Sequence, residues 1–253
     1  MDLELWHFPI SHYNEKVRWA LDWKGLPHRR RALSWNYLPL ALRATGQASL
    51  PILRIDGTAI ADSTRIIAEL ERRQPAPALY PADPALRRRA LEVEDFCDEE
   101  LGHALRAAIL GPVFWSEPAT AIRVLTTGMG DGARRMIGAA LPLFRAFYVR
   151  RHKIRRGDEA RERAKVHAAM DRIAAEIGPS GYLAGDAFSV ADLTAAALLS
   201  PLVLAPELEY RPPGEVPPAI AEYRASVAAH PAFRWSEEIY RRHRGRSAEV
   251  RAA

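Results

Sequence analysis

The stretch that most limits what this chain can fold into is residues 50–63. Leu50-Pro51 opens an apolar run through Leu53, Asp56-Gly57 supplies a hairpin turn, and Asp62-Ser63 stands before Thr64-Arg65-Ile66-Ile67-Ala68-Glu69-Leu70, whose apolar positions repeat at helical spacing. Pro51 has no N–H and follows an apolar residue where a strand begins; held cis, it would turn the backbone of Leu50 outward. The N–H and C=O of Leu50 could then pair, strand-like, with an extended peptide ligand. Ser63 falls at a helix N-terminus, where free N–H groups and the helix dipole favour a carboxylate, and Asp62 beside it can accept hydrogen bonds from an ammonium. The pair suits an amino-acid headgroup, although Ser and Asp are also ordinary N-caps.

The residues before this stretch supply the rest of a small α/β unit. Leu3 and Leu5 alternate with Glu4 and Trp6, which predicts a half-buried strand over 2–7. After Phe8-Pro9-Ile10, Ser11 is placed to cap a helix over 11–24, with Val17, Ala20 and Leu21 on its apolar face. A basic strand near 29–33 and a short helix near 38–45 complete a βαβ unit followed by ββα. That order is the thioredoxin-like fold.

Ser11-His12-Tyr13-Asn14-Glu15-Lys16-Val17-Arg18, Leu50-Pro51 and Asp62-Ser63 have the order and spacing of the glutathione S-transferase superfamily, which the chain resembles. The resemblance extends through Gly181-Tyr182-Leu183-Ala184-Gly185-Asp186-Ala187-Phe188-Ser189-Val190-Ala191-Asp192-Leu193 and is weakest between about 108 and 162. It implies a thioredoxin-like domain over 1–75, a linker over 76–84 and an all-α domain over 85–253 that contributes the second-substrate pocket. It also implies that Ser11 donates a hydrogen bond to the glutathione sulfur, that Leu50 and Pro51 hold the cysteinyl backbone, and that Asp62 and Ser63 hold the γ-glutamyl end. Tyr13, through its hydroxyl, and Asn14, through its amide, are alternative contacts to the thiol. Ser11 and Asn14 stand where a glutaredoxin-like Cys-Pro-Tyr-Cys turn has cysteines, so thiol-disulfide exchange is not expected.

The implied activity is conjugation of glutathione, as cosubstrate and without a metal, to a small electrophile, in a detoxifying homodimer. A glutathione-dependent isomerase, dehalogenase or peroxidase would carry the same activating site, and a non-catalytic binding or scaffolding protein could retain the fold.

The remaining sequence fits a helical half. Proline is dense from Gln74 to Pro84, and helical patterns follow over 84–110, 117–126, 132–149, 158–177, 190–204 and 217–229. Gly128-Met129-Gly130-Asp131-Gly132 lacks the Lys-Ser/Thr of a phosphate loop and reads as a helix–helix break. Ser189 and Asp192 form a capping box, with Phe188 and Leu193 at staple positions. Ile10, His12, His103 and Arg106 are positional candidates for the second pocket, whereas Trp115, Phe144, Phe147 and Tyr148 read as core or dimer interface.

One cysteine, Cys97, excludes an intrachain disulfide and a cysteine-based zinc cluster, and its apolar helical setting predicts burial. The absence of a cleavable leader or a long apolar run predicts a cytoplasmic chain that does not engage membranes. A net charge of +5 raises the question of nucleic acid. The Arg clusters at 28–31, 150–156 and 241–246 carry no recognition motif, however, and read as solvated faces and a frayed tail.

Overall fold

The computed structural model describes residues 1–33, 37–126 and 130–250, apart from the side chain of Ala133. The chain begins β1 (Leu3–His7), α1 (His12–Trp23), β2 (Arg29–Ala32), α2 (Tyr37–Thr45), β3 (Ile52–Ile55), β4 (Thr58–Ala61) and α3 (Ser63–Arg73). The sheet order is β2-β1-β3-β4, with β1 and β2 parallel and the other pairs antiparallel. Asp56 and Gly57, at φ +49° and +90°, make the left-handed turn that joins β3 to β4, a conformation open to Asp-Gly.

Side-chain alternation gives the sheet two buried faces. Leu3, Leu5, Leu53 and Ile55 join α1 and α3 in the main core, while Trp6, Ile52 and Ala61 pack with Ala41 of α2 on the opposite face. The half-buried strand expected from Leu3 and Leu5 is therefore covered on both sides, because α2 supplies a second apolar layer.

The helical half comprises α4 (Pro84–Phe96), a π turn (Cys97–Leu101), α5 (Gly102–Ser116), α6 (Pro118–Leu125), α7 (Asp131–Arg151), α8 (Glu159–Glu176), α9 (Val190–Val203), α10 (Pro218–Val227) and α11 (Pro231–His243). Helix α9 is apolar all round and almost wholly buried, packing on α1, α4, α5 and α11. No helix among the described residues is long and apolar enough to cross a membrane. Of the glycine segment read as a break, Gly130 caps α7 and Asp131 begins it, while Gly128 and Met129 lie outside the described residues.

Two features depart from the sequence reading. Helix α11 was not expected, although Pro231 at its first turn and the buried residues Phe233, Ser236 and Tyr240 mark one helical face. The tail after it is ordered: Ala248 N–H donates to Asp22 Oδ1 (2.8 Å), His28 N–H to Ala248 C=O (3.3 Å) and Val250 N–H to His28 C=O (2.8 Å). This strap lies along the end of β2, one of the two edge strands.

The capping box opens α9, and its aspartate does more than cap. Asp192 is fully buried and accepts from the Ser189 N–H and hydroxyl and from the Leu183 N–H, each at 2.9 Å. Burial pushes its carboxyl up to about 6, against the downward pull of these bonds. Asp192→Ala is expected to cost about 2–4 kcal/mol, a lost cap plus buried N–H groups left unmet. Because the folded-state value lies above the unfolded one, this group's contribution is fully present below about pH 4 and declines as pH rises through about 6. Urea unfolding from pH 4 to 7 should show the parent losing stability relative to Asp192→Asn as pH rises.

Candidate functional site

Strand register gathers the candidate residues at one end of the sheet. Ile52 pairs with Trp6 on one side and with Ala61 on the other. The turn after β1 (Phe8–Ser11), the segment before β3 (Leu50-Pro51) and the start of α3 (Asp62-Ser63) therefore emerge together. The Leu50–Pro51 peptide bond is cis, and among the described residues the Leu50 backbone N–H and C=O have no intramolecular partner.

Ser11 is the N-cap of α1 by position, but its side chain makes no capping hydrogen bond. Its backbone holds the turn instead, accepting from Glu15 N–H (2.9 Å) and donating to Phe8 C=O (3.1 Å). The hydroxyl is left uncommitted at the positive end of a helix, on the wall of a cavity shared with the helical half.

Of the two alternatives, Tyr13 is engaged elsewhere and Asn14 only through its oxygen. The Tyr13 hydroxyl donates to the Asp98 backbone carbonyl, and burial raises its pKa well above the ordinary phenol value. Asn14, 1 % exposed, accepts the Phe8 N–H at 3.2 Å through Oδ1 and so fixes the turn, while its Nδ2 is buried with no hydrogen-bond partner among the described residues. Gly102 permits the approach of Tyr13: a Cβ there would overlap the Tyr13 hydroxyl and lie 2.8 Å from its Cζ.

At α3 the cap is Asp62 rather than Ser63. Asp62 holds φ +82° and accepts the Arg65 N–H at 3.0 Å, a left-handed backbone that costs a non-glycine residue about 1–3 kcal/mol. Ser63 is the first helical residue, 5 % exposed, and its hydroxyl has no partner among the described residues.

Two buried ionic groups, neither legible from sequence, fasten α1. On one side Lys16 Nζ meets Glu94 (2.8 Å), Asp98 (2.5 Å) and Thr64 Oγ1 (3.1 Å). Burial disfavours the ammonium, but the two carboxylates outweigh it and hold Lys16 charged. A single ammonium does not neutralise both, and Glu94, the more buried, is pushed up by burial. On the other side Glu15 pairs with Arg18 (2.9 Å) and Arg244 (2.7 Å), and Asp22 with Arg30 (2.8 Å) and Arg244 (2.9 Å). Burial alone would raise the Glu15 carboxyl, yet Arg244 and Arg18 hold it below the usual range. Arg30 and Arg244 were read as solvated, but each is a buried partner of acids far away in sequence.

Between the Phe8–Ser11 turn and the helical half lies a cavity of about 160 Å³. Phe8, Ile10, Ser11, His12, Glu15 and Arg18 form one wall; α5, α6, α7 and the segment after α9 form the rest. His12 and Arg106 line it; His103 does not, its Nδ1 lying 2.9 Å from Glu99 C=O. Phe144 and Tyr148 line the cavity and, with Trp115, pack against an apolar core cluster that includes Val113, Phe114 and Leu141, while Phe147 is 46 % exposed. Cys97 is buried, and burial raises its thiol far above reactive values.

The described residues bring three possible metal donors together at His167, Asp171 and His230. There His230 Nδ1 accepts the Ala232 N–H (3.2 Å) as the cap of α11, which places the neutral ring's proton on Nε2, facing Asp171 at 3.1 Å. The trio is thus arranged as a hydrogen-bonded cap.

Comparison with known proteins agrees with this geometry. The family model "Glutathione S-transferase, N-terminal domain" matches residues 5–78 and "Glutathione S-transferase, C-terminal domain" matches 158–226, together more than half of the chain. A glutathione S-transferase of Pseudomonas putida is 32% identical over 82 residues, 32% of this chain and 37% of that protein, so the match spans little more than a third of the relative's length. Among solved structures, a Methylobacterium radiotolerans glutathione S-transferase in complex with glutathione sulfonate shares the fold at 24% identity and TM-score 0.56, over 93% of this chain and 94% of the other. The beta-etherase LigF of Sphingobium sp. strain SYK-6 does so at 20% identity and TM-score 0.58, over 94% and 99%. With both halves matched in order and the fold shared over nearly its whole length, the chain belongs to the glutathione S-transferase superfamily.

Proposed function

We propose that this protein is a glutathione transferase in which the Ser11 hydroxyl stabilises the glutathione thiolate for attack on a small electrophile held in the neighbouring cavity. Leu50 offers its backbone to the cysteinyl residue, Pro51 shapes the approach, and Asp62 and Ser63 receive the γ-glutamyl end. The observation that carries this reading is the uncommitted Ser11 hydroxyl at a helix N-terminus on the cavity wall, beside a Tyr13 whose hydroxyl is already engaged.

The magnitudes suffice. A free thiol of pKa ~8.5 is a few per cent thiolate at pH 7, and lowering it by about two requires ~2.7 kcal/mol. A hydrogen bond from Ser11 to the anion supplies about 1.5–3 kcal/mol, and the α1 N-terminus about 0.3–2.

The test is the ultraviolet absorbance of bound glutathione thiolate titrated across pH. The parent protein is expected to show thiolate near neutral pH, and Ser11→Ala to shift that titration upward and lower the conjugation rate at pH 7 by roughly 10- to 100-fold. Stability should hold, since the side chain caps nothing. Identical titrations of the two proteins would refute the role of Ser11, and no thiolate in the parent would favour a non-catalytic glutathione-binding protein. A homodimer belongs to the same proposal, supported by the exposed apolar residues Leu86 and Leu91 on α4 and Met136, Leu143 and Phe147 on α7.

A further inference from the structure

Two guanidinium groups line the cavity, and they differ in what answers them. Arg18 is 1 % exposed and is neutralised by Glu15, with His7 Nδ1 a further 2.9 Å partner. Arg106, on α5, is half-buried; its one hydrogen-bond partner among the described residues is His152 Nδ1 at 2.9 Å, and it lies 5.0 Å from the centre of the Tyr13 ring. Among the described residues no carboxylate pairs with it.

The histidines beside Arg106 sharpen this picture. Burial and then Arg106 push His152 down to about 3, and burial and then Arg106 likewise hold His12 neutral against a hydrogen bond to the Gly102 backbone. The positive charge at this end of the cavity therefore belongs to Arg106. His12 also lines the cavity, but its Nε2 is shielded from solvent and has no hydrogen-bond partner among the described residues. The remaining wall is largely apolar, including Ile109, Val113, Phe114 and Phe144. The volume of about 160 Å³ compares with the roughly 150 Å³ of an engineered cavity that holds benzene, so it suits a single ring rather than a fused system.

Resting on the transferase reading above, we propose that the second substrate is a single-ring aromatic electrophile bearing a carboxylate, which docks on Arg106 while its ring fills the apolar end. Arg106 is then the residue that determines specificity. An unpaired guanidinium beside an apolar wall penalises a neutral ring, which leaves the cation unanswered, and favours an aromatic acid, which satisfies both surfaces.

The experiment is calorimetric titration without glutathione, using para-nitrobenzoate and its neutral isostere para-nitrobenzamide, neither of which has a leaving group. The parent protein is expected to bind the carboxylate about tenfold more tightly than the amide. Arg106→Met should abolish that ratio and Arg106→Lys keep part of it. The ratio is the readout because partial misfolding lowers both affinities together. Should Arg106→Met bind neither probe, Arg106→Lys decides: a retained preference supports the proposal and equal affinities overturn it. Equal affinities in the parent, no carboxylate binding, or a preference that survives Arg106→Met would each overturn it. The thiolate titration is separate. A charge preference without thiolate would leave the ligand class standing and remove the transferase reading; thiolate without a preference would do the reverse.

Discussion

Replacing Arg244 by Met is expected to lower folding stability by about 3–5 kcal/mol, read as a shift in the urea midpoint. Arg244 is 2 % exposed and is the partner that Glu15 and Asp22 share, while Arg18 and Arg30 each serve one of them and Glu209 completes the group. Three guanidiniums thus face three carboxylates, and removing one leaves a buried negative charge in excess. The pH dependence follows. The folded-state value of Glu15 is depressed, so its pairing contributes above the unfolded value of 4.5 and is lost as pH falls through the folded one. The gap between the parent and Arg244→Met should therefore be widest at neutral pH and narrow below about 4.5. A gap that stays constant with pH would assign the loss to packing against Trp19, whose ring lies 5.8 Å from the guanidinium.

Lys16→Met should produce a loss of similar size, about 3–5 kcal/mol, for a different reason. It leaves Glu94 and Asp98 confronting each other around Thr64 Oγ1, 3.1 and 2.9 Å from their oxygens, with no cation between them. Two carboxylates in one buried site do not both ionise readily, so the variant should bind an extra proton on folding and regain stability as pH is lowered toward 5. Adding Glu94→Gln to Lys16→Met should restore part of the loss at neutral pH. No recovery in that double variant would remove carboxylate repulsion as the cause.

The end of the sheet that forms the candidate site was legible because its signals are local. Alternation in Leu3 to Trp6, Pro51 before a strand, Asp56-Gly57 at a turn and Asp62-Ser63 before an apolar helix each work over a few residues. Even there the cap fell on Asp62 rather than Ser63, a difference set by one backbone angle. The commitment of Tyr13 was not legible, because its partner Asp98 is 85 residues away. The same holds for Arg30 and Arg244: a guanidinium in a basic run looks solvated until the fold brings a carboxylate to it. Helix α11 is a different case, since its apolar face was written in the sequence and was obscured by the Arg-rich residues around it.

The strap from Arg244 onward also bears on the order in which the chain is made. Glu15 and Asp22 leave the ribosome 229 and 222 residues ahead of the arginine that completes their pairing. At roughly 5–20 residues per second that interval is on the order of 10–45 s, during which an N-terminal unit with all its strands in hand still lacks a counter-ion for its first helix. The two halves of this protein therefore have reason to mature together, with the emergence of the last helix and its tail releasing the final consolidation of the first.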